Sequence, residues 1–152
     1  MATVSHRLEF DLEQPVGDVF PLFTPEGEKL WAPGWDYENV MGSEKLHEDY
    51  VFQTRTHDHA AADAIWIVKK FDPENHLVQY YKVEPRSKVG VVTVRCERLA
   101  AHRTRVAVGY AYTGLSEEGN AFIDGFTPAV YRNFIGEWKS LIESYFGKRR
   151  RT

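Results

Sequence analysis

A chain of 152 residues with 43% apolar and 14% aromatic residues, a formal charge of −3 and a single cysteine is long enough to bury roughly 70% of its unfolded surface without a covalent staple. An internal disulfide is impossible, and the charge gives no electrostatic reason to expect nucleic acid as a partner. No apolar run approaches the ~18 residues of a membrane span, so no integral membrane association is expected. The opening MATVSHRLEF lacks the basic start and apolar core of a secretion signal. The expectation is one domain over residues 1–152, cytoplasmic because a lone Cys96 suits a reducing compartment.

Ser5 to Glu13 sets Leu8, Phe10 and Leu12 against Arg7, Glu9, Asp11 and Glu13, the alternation of a strand with one wet face. Pro15 suits the first turn of a helix, and Val16, Val19, Phe20 and Phe23 give it a short apolar stripe that Pro21 curtails. Thr24-Pro25-Glu26 predicts a second short helix, with Thr24 as N-cap, Pro25 at its first position, and Glu26 and Glu28 near its positive end. Pro33-Gly34 stops it.

From Trp35 the period becomes two. WDYENVMG, DYVFQTRTH, ADAIWIVKKF, HLVQYYKVE, VGVVTVRCERL and RTRVAVGYAYTGL read as six strands separated by turn residues. Short connections imply an antiparallel meander. The last strand places Val106, Val108, Tyr110 and Tyr112 on one face.

Ser116 to Phe146 is the longest helical segment. Phe122, Phe126, Val130, Phe134, Trp138, Leu141 and Tyr145 recur every three or four residues and form one broad aromatic stripe that needs a cover. Ser116 is the predicted N-cap, and Thr127-Pro128 predicts a kink or restart. Gly147 and the basic run Lys148-Arg149-Arg150-Arg151 suit a helix end. Strand, two short helices, six strands and a long helix make an α+β chain.

The strand at Phe10-Asp11-Leu12 running into Pro15-Val16-Gly17-Asp18-Val19-Phe20, the segment Thr24 to Trp31, and the closing aromatic helix together resemble the helix-grip fold of the START-like, or SRPBCC, superfamily, which includes pollen-allergen-like proteins, START lipid-transfer domains and polyketide cyclase/dehydrases. Pro25-Glu26-Gly27-Glu28 ahead of Trp31 and Trp35 resembles a group of uncharacterised SRPBCC proteins. The resemblance implies a curved antiparallel sheet of about seven strands wrapped around the long helix, with a hydrophobic cavity between them. It also implies a small hydrophobic partner, lipid or polyketide-like. The alternatives are a polyketide cyclase/dehydratase-type enzyme in the same cavity or a chaperone-activator-like interaction module, since one fold hosts all three.

Aromatic residues at helical spacing ordinarily serve packing. The implied cavity makes Trp31, Trp35, Trp66, Tyr80, Tyr110, Tyr112, Phe122, Phe126 and Val130 the candidate lining. Tyr110 and Tyr112 stand out because a buried phenol needs a hydrogen-bond partner that a ligand can supply. His57-Asp58-His59 with Asp63 or His47 has a metal-like spacing at a turn, where an exposed polar loop is the plainer reading; no metal or cofactor is expected. Acid/base candidates are His57, Glu84, Arg95, Glu97 and His102. Arg95 and Glu97 alternate with Val94 and Cys96 and are read as solvent-facing, and no spacing forms a catalytic signature. Cys96 reads as a buried, inert thiol, and the basic tail as a solvated terminus.

Overall fold

The computed structural model describes residues 1–43, 45–55 and 63–150. Strand β1 (Thr3–Leu12) leads through the one-turn helix α1 (Val16–Val19), a 3-10 turn at Phe20–Phe23 and the one-turn helix α2 (Pro25–Glu28). Strands β2 (Tyr37–Glu38), β3 (Val51–Thr54), β4 (Ala64–Asp72), β5 (Leu77–Glu84), β6 (Lys88–Ala100) and β7 (Arg103–Gly114) follow, then helices α3 (Glu117–Gly125) and α4 (Pro128–Arg150).

Local chemistry explains the short helices. Pro21 falls inside the turn that follows α1, and Thr24 caps α2 by accepting a hydrogen bond from the Gly27 amide at 3.1 Å. Gly27 is required by close approach: a Cβ there would lie 1.9 Å from the Pro21 carbonyl oxygen. The two short helical pieces are thus packed backbone to backbone, which fixes where Glu28 points.

The sheet has seven antiparallel strands in the order β1-β7-β6-β5-β4-β3-β2. Strands β2 to β7 form the expected meander, and β1 closes onto the free edge of β7, from Thr3↔Thr113 to Leu12↔Thr104. Register shifts between Val68 and Lys70 and between Arg98 and Ala100 bend it, as bulges do. β2 is much shorter than the expected strand from Trp35 to Gly42. Gly34 and Gly42 have φ of +71° and +74°, and the Val40 and Gly42 amides donate hydrogen bonds to the Glu38 and Asn39 carbonyls, curling the chain away from extended pairing.

The closing helix is divided where expected. Ser116 caps α3 through the Gly119 amide at 3.2 Å. The chain then breaks at Phe126 and restarts at Pro128, with the Thr127 hydroxyl accepting from the Val130 amide at 3.2 Å. α4 runs for 23 residues, about 34 Å. Its deepest face is not the aromatic stripe. Tyr131, Ile135, Ile142 and Phe146 are the buried positions, whereas Phe134, Trp138, Leu141 and Tyr145 are half-buried and Phe122 and Val130 are 44% and 47% exposed. Aliphatic Ile135 and Ile142 fit close against the sheet. The bulkier rings flank that seam, and those toward α3 look into open space.

Candidate functional site

Cross-strand register organises the concave face of the sheet into rows. Val78, Val94 and Val108 stand side by side on β5, β6 and β7; the next row is Tyr80, Val92 and Tyr110. The third row is Lys82, Gly90 and Tyr112, with Trp66 of β4 beside Lys82, and the last is Glu84, Lys88 and Gly114. Along three neighbouring strands the inward side chains therefore pass from aliphatic through aromatic to charged. Strand alternation forces this: once Val78 and Tyr80 face inward, Lys82 and Glu84 must as well.

The polar end opens into a pocket of about 490 Å³ between the sheet and the α3–α4 break. Lys82 and Tyr112 contribute from the sheet, and Ala121, Phe122, Gly125, Phe126, Val130 and Phe134 from the helices. Tyr110 adjoins it one row deeper, with its ring 5.9 Å from that of Tyr112 and 5.4 Å from that of Phe134. Gly90 makes room here, since a Cβ would stand 2.7 Å from the Tyr112 ring. Phe122 and Phe126 stack at 5.4 Å and both meet Tyr112 edge-on, an arrangement aromatic quadrupoles favour. The break is tied to β1 by His6, whose Nε2 lies 2.6 Å from the Phe126 carbonyl oxygen.

Of the nine aromatic and apolar candidates, the structure brings Tyr112, Phe122, Phe126 and Val130 to this pocket, with Tyr110 against it. Trp66 supports Lys82, whose ammonium lies 5.4 Å from the Trp66 ring centre. Trp31 and Trp35 lie elsewhere. Trp31 packs on Phe23 and Trp138, and Trp35 on Phe52 and Trp66.

The polar tips divide the same set. The indole N–H groups of Trp31, Trp35 and Trp66 donate to Leu22 O, Pro25 O and Thr54 Oγ1, while the Tyr80 and Tyr131 hydroxyls donate to Phe23 O and Val108 O at 2.7 and 2.6 Å. Among the described residues the Tyr110 and Tyr112 hydroxyls have no such partner, although both side chains are about 95% buried. Neither is a sealed orphan, because the buried unpaired side-chain atom of the described residues is Glu84 Oε2. Burial raises both phenols well above the ordinary tyrosine range, with Tyr110 also raised by Tyr112 and Tyr112 by Glu84; they stay protonated and are hydrogen-bond donors.

Two of the charged groups here escaped the sequence reading. Glu28, the last residue of α2, is half-buried, and desolvation pushes its carboxyl up to about 8 against the opposing pull of Lys82. It also acts on the Tyr80 and Tyr110 phenols. Lys82 is displaced downward, chiefly by desolvation and secondarily by the Lys88 cation. The two shifts run in opposite directions, and both come first from loss of solvent around the charged form. Glu84, an acid/base candidate from sequence, is instead in ion-pair contact with Lys88 at 3.1 Å, with both side chains over 90% buried. The alignment is poor for a hydrogen bond, so the contact is one of charge. Lys88 also lies 3.8 Å from the centre of the Phe122 ring, a cation–π contact tying the rim of the pocket to the β5–β6 turn.

The remaining candidates lie apart. Arg95, Glu97 and His102 are exposed, and Cys96 is buried, its thiol pushed by desolvation up to about 12. His57, Asp58 and His59 lie outside the described residues. Among the described residues there is no group of three metal-ligating side chains, and no helix is long and apolar enough to cross a membrane.

A seven-stranded antiparallel sheet gripping a long C-terminal helix, with short helices after the first strand, is a helix-grip fold. Solved structures agree. A norcoclaurine synthase point mutant from Thalictrum flavum in complex with a transition state analogue superposes with a TM-score of 0.68 at 10% identity, over 97% of each chain. Ara h 8.0201 gives 0.71 at 11% identity over 96% of this chain and 99% of its own. The Zhui aromatase/cyclase from Streptomyces sp. R1128 gives 0.59 at 16% identity over 95% and 87%. Neither a family model nor a curated protein matches the sequence.

Proposed function

We propose that this protein binds a small apolar or aromatic molecule, lipid or polyketide-like, in the pocket between the polar end of the sheet and the α3–α4 break. One observation carries the reading: Tyr110 and Tyr112 are buried phenols without a hydrogen-bond partner among the described residues, whereas Tyr80 and Tyr131 are satisfied on backbone carbonyls. Burial of the ligand's apolar surface against Phe122, Phe126 and Phe134 supplies affinity at about 25 cal/mol per Å², and the hydroxyls fix its orientation. Native mass spectrometry of freshly purified protein tests this. A co-purified mass released on denaturation, or an apolar dye displaced by a panel of aromatic ligands, is the expected result. A protein that binds no apolar probe contradicts it.

A second reading, favoured by Lys82 in the pocket wall and by the raised carboxyl of Glu28 on α2, is acid–base catalysis of the cyclase or dehydratase type on the bound molecule. Such a reaction needs a proton acceptor beside a carbon acid and donors for the oxygen that gains charge. Tyr110 and Tyr112 fit the donor role. Conversion of a poly-β-ketone thioester followed by absorbance, and its loss in Glu28→Gln, is the expected outcome; unaltered conversion in that variant would remove Glu28 from the chemistry. The buried thiol of Cys96 is in keeping with a cytoplasmic setting.

A further inference from the structure

We propose that Lys82 is a carbonyl-capturing amine, taking an aldehyde or ketone of an apolar aromatic ligand into an imine inside this pocket. The inference rests on the binding reading above and adds the chemical class of the ligand. Two lysines face inward on the polar rows, and they differ. Lys88 is held by Glu84 at 3.1 Å and by the Phe122 ring. Lys82 lines the pocket and has no ion-pair partner among the described residues. Its row gives it space. Trp66 backs the amine on one side, and on the other Gly90 presents no side chain, so the next body is the Tyr112 ring. A flat aromatic carbonyl compound fits between these surfaces.

The charged groups around Lys82 are Glu28 of α2, Glu84 of its own strand and Lys88 of β6. The two carboxyls favour the ammonium, whereas desolvation and Lys88 favour the neutral amine, and desolvation is the largest of these effects. Only the neutral amine carries the lone pair that attacks a carbonyl. Nζ bonds to the carbonyl carbon as the C=O π pair moves to oxygen. Water in the open pocket relays a proton from the nitrogen to the oxygen, giving a neutral carbinolamine. Solvent then protonates the hydroxyl, water leaves, and the nitrogen lone pair forms the C=N⁺ bond. No oxidant or reductant is consumed.

The test uses the full chain, 2-naphthaldehyde and sodium cyanoborohydride at pH 7, with peptide mapping of the naphthylmethyl adduct. Binding of 2-naphthalenemethanol, which has the same shape but no carbonyl, is measured in parallel by tryptophan fluorescence. The expected result is alkylation of Lys82 at least ten-fold faster than of the exposed Lys29 and Lys70, suppressed by excess 2-naphthalenemethanol. If the alcohol binds but Lys82 reacts no faster than the exposed lysines, carbonyl capture is overturned and the binding reading stands. If the alcohol does not bind either, both are overturned.

Discussion

The two ends of the interior are built on the same strands and the same side-chain parity, yet they differ in every other respect. At one end Val78, Val94, Val106, Val108, Ile135 and Ile142 are at most 2% exposed and contribute no polar side-chain atom. At the other, two to six residues along the same strands, Lys82, Glu84, Lys88, Tyr110 and Tyr112 face the same way under helical residues that leave open space. The first end needs no ligand to satisfy it. The second holds two phenols and an amine unpaired among the described residues, an arrangement that stability alone would not retain. The division teaches that one end secures the fold and leaves the other free to hold chemistry.

Substitutions separate the ends. The largest expected effect is at the dry end. Ile142→Ala removes a fully buried side chain between helix and sheet and should cost about 2–5 kcal/mol in urea unfolding, with affinity for an apolar probe unchanged. A matching loss of affinity would mean that the ends are not independent.

Next is Glu28. Its carboxyl is raised in the folded protein to about 8 from an ordinary value of 4.5, so the stabilising preference for the protonated form is complete below pH 4.5. It is lost progressively up to about pH 8, because over that interval the unfolded chain has already released its proton. Glu28→Gln should therefore gain stability on the native protein as pH rises from 5 to 8. Residual solvent access to the half-buried side chain screens the effect, which leaves on the order of 2 kcal/mol. Parallel pH profiles for the two proteins would contradict a buried, proton-retaining carboxyl.

Glu28 also marks where the sequence stopped being legible. Strand alternation carried Val78, Tyr80, Lys82 and Glu84 onto one face, so the inward lysine was readable in the parity of β5. Its meaning was not, since lysines are almost always solvated. Glu28 gave no such sign. It ends a single-turn helix whose orientation depends on Gly27 seating against the Pro21 backbone, a contact made in three dimensions. The caps at Thr24 and Ser116 and the restart at Thr127-Pro128 were readable because each is a local hydrogen-bond pattern. The aromatic stripe of the last helix was found by its period. Periodicity could not tell that Tyr131, Ile135 and Ile142 would form the dry seam and Phe122 and Val130 the rim, because that depends on where the sheet leaves a gap.

Smaller effects sharpen the contrast between the tyrosines. Tyr80→Phe orphans the Phe23 carbonyl and should cost about 1–2 kcal/mol. Tyr110→Phe breaks no hydrogen bond within the described protein and should leave stability within about 0.5 kcal/mol, while weakening a hydroxyl-bearing aromatic ligand by about 1 kcal/mol, roughly five-fold in Kd. Thermal denaturation and calorimetric titration of the two variants measure both, and equal destabilisation would erase the distinction. The smallest effect concerns Cys96, which should resist a thiol reagent such as DTNB at pH 8 until the protein unfolds; prompt reaction in the native state would place it outside the dry end.

The division is tested most directly by mapping where an aromatic probe binds. In a nuclear magnetic resonance titration of the isotope-labelled protein with 2-naphthalenemethanol, saturable shifts should centre on Lys82, Tyr110, Tyr112, Phe122 and Phe126, while Val78, Val94, Ile135 and Ile142 stay in place. Saturable shifts confined to the outer face of the sheet, or no saturable shifts at all, would contradict a ligand site at the polar end.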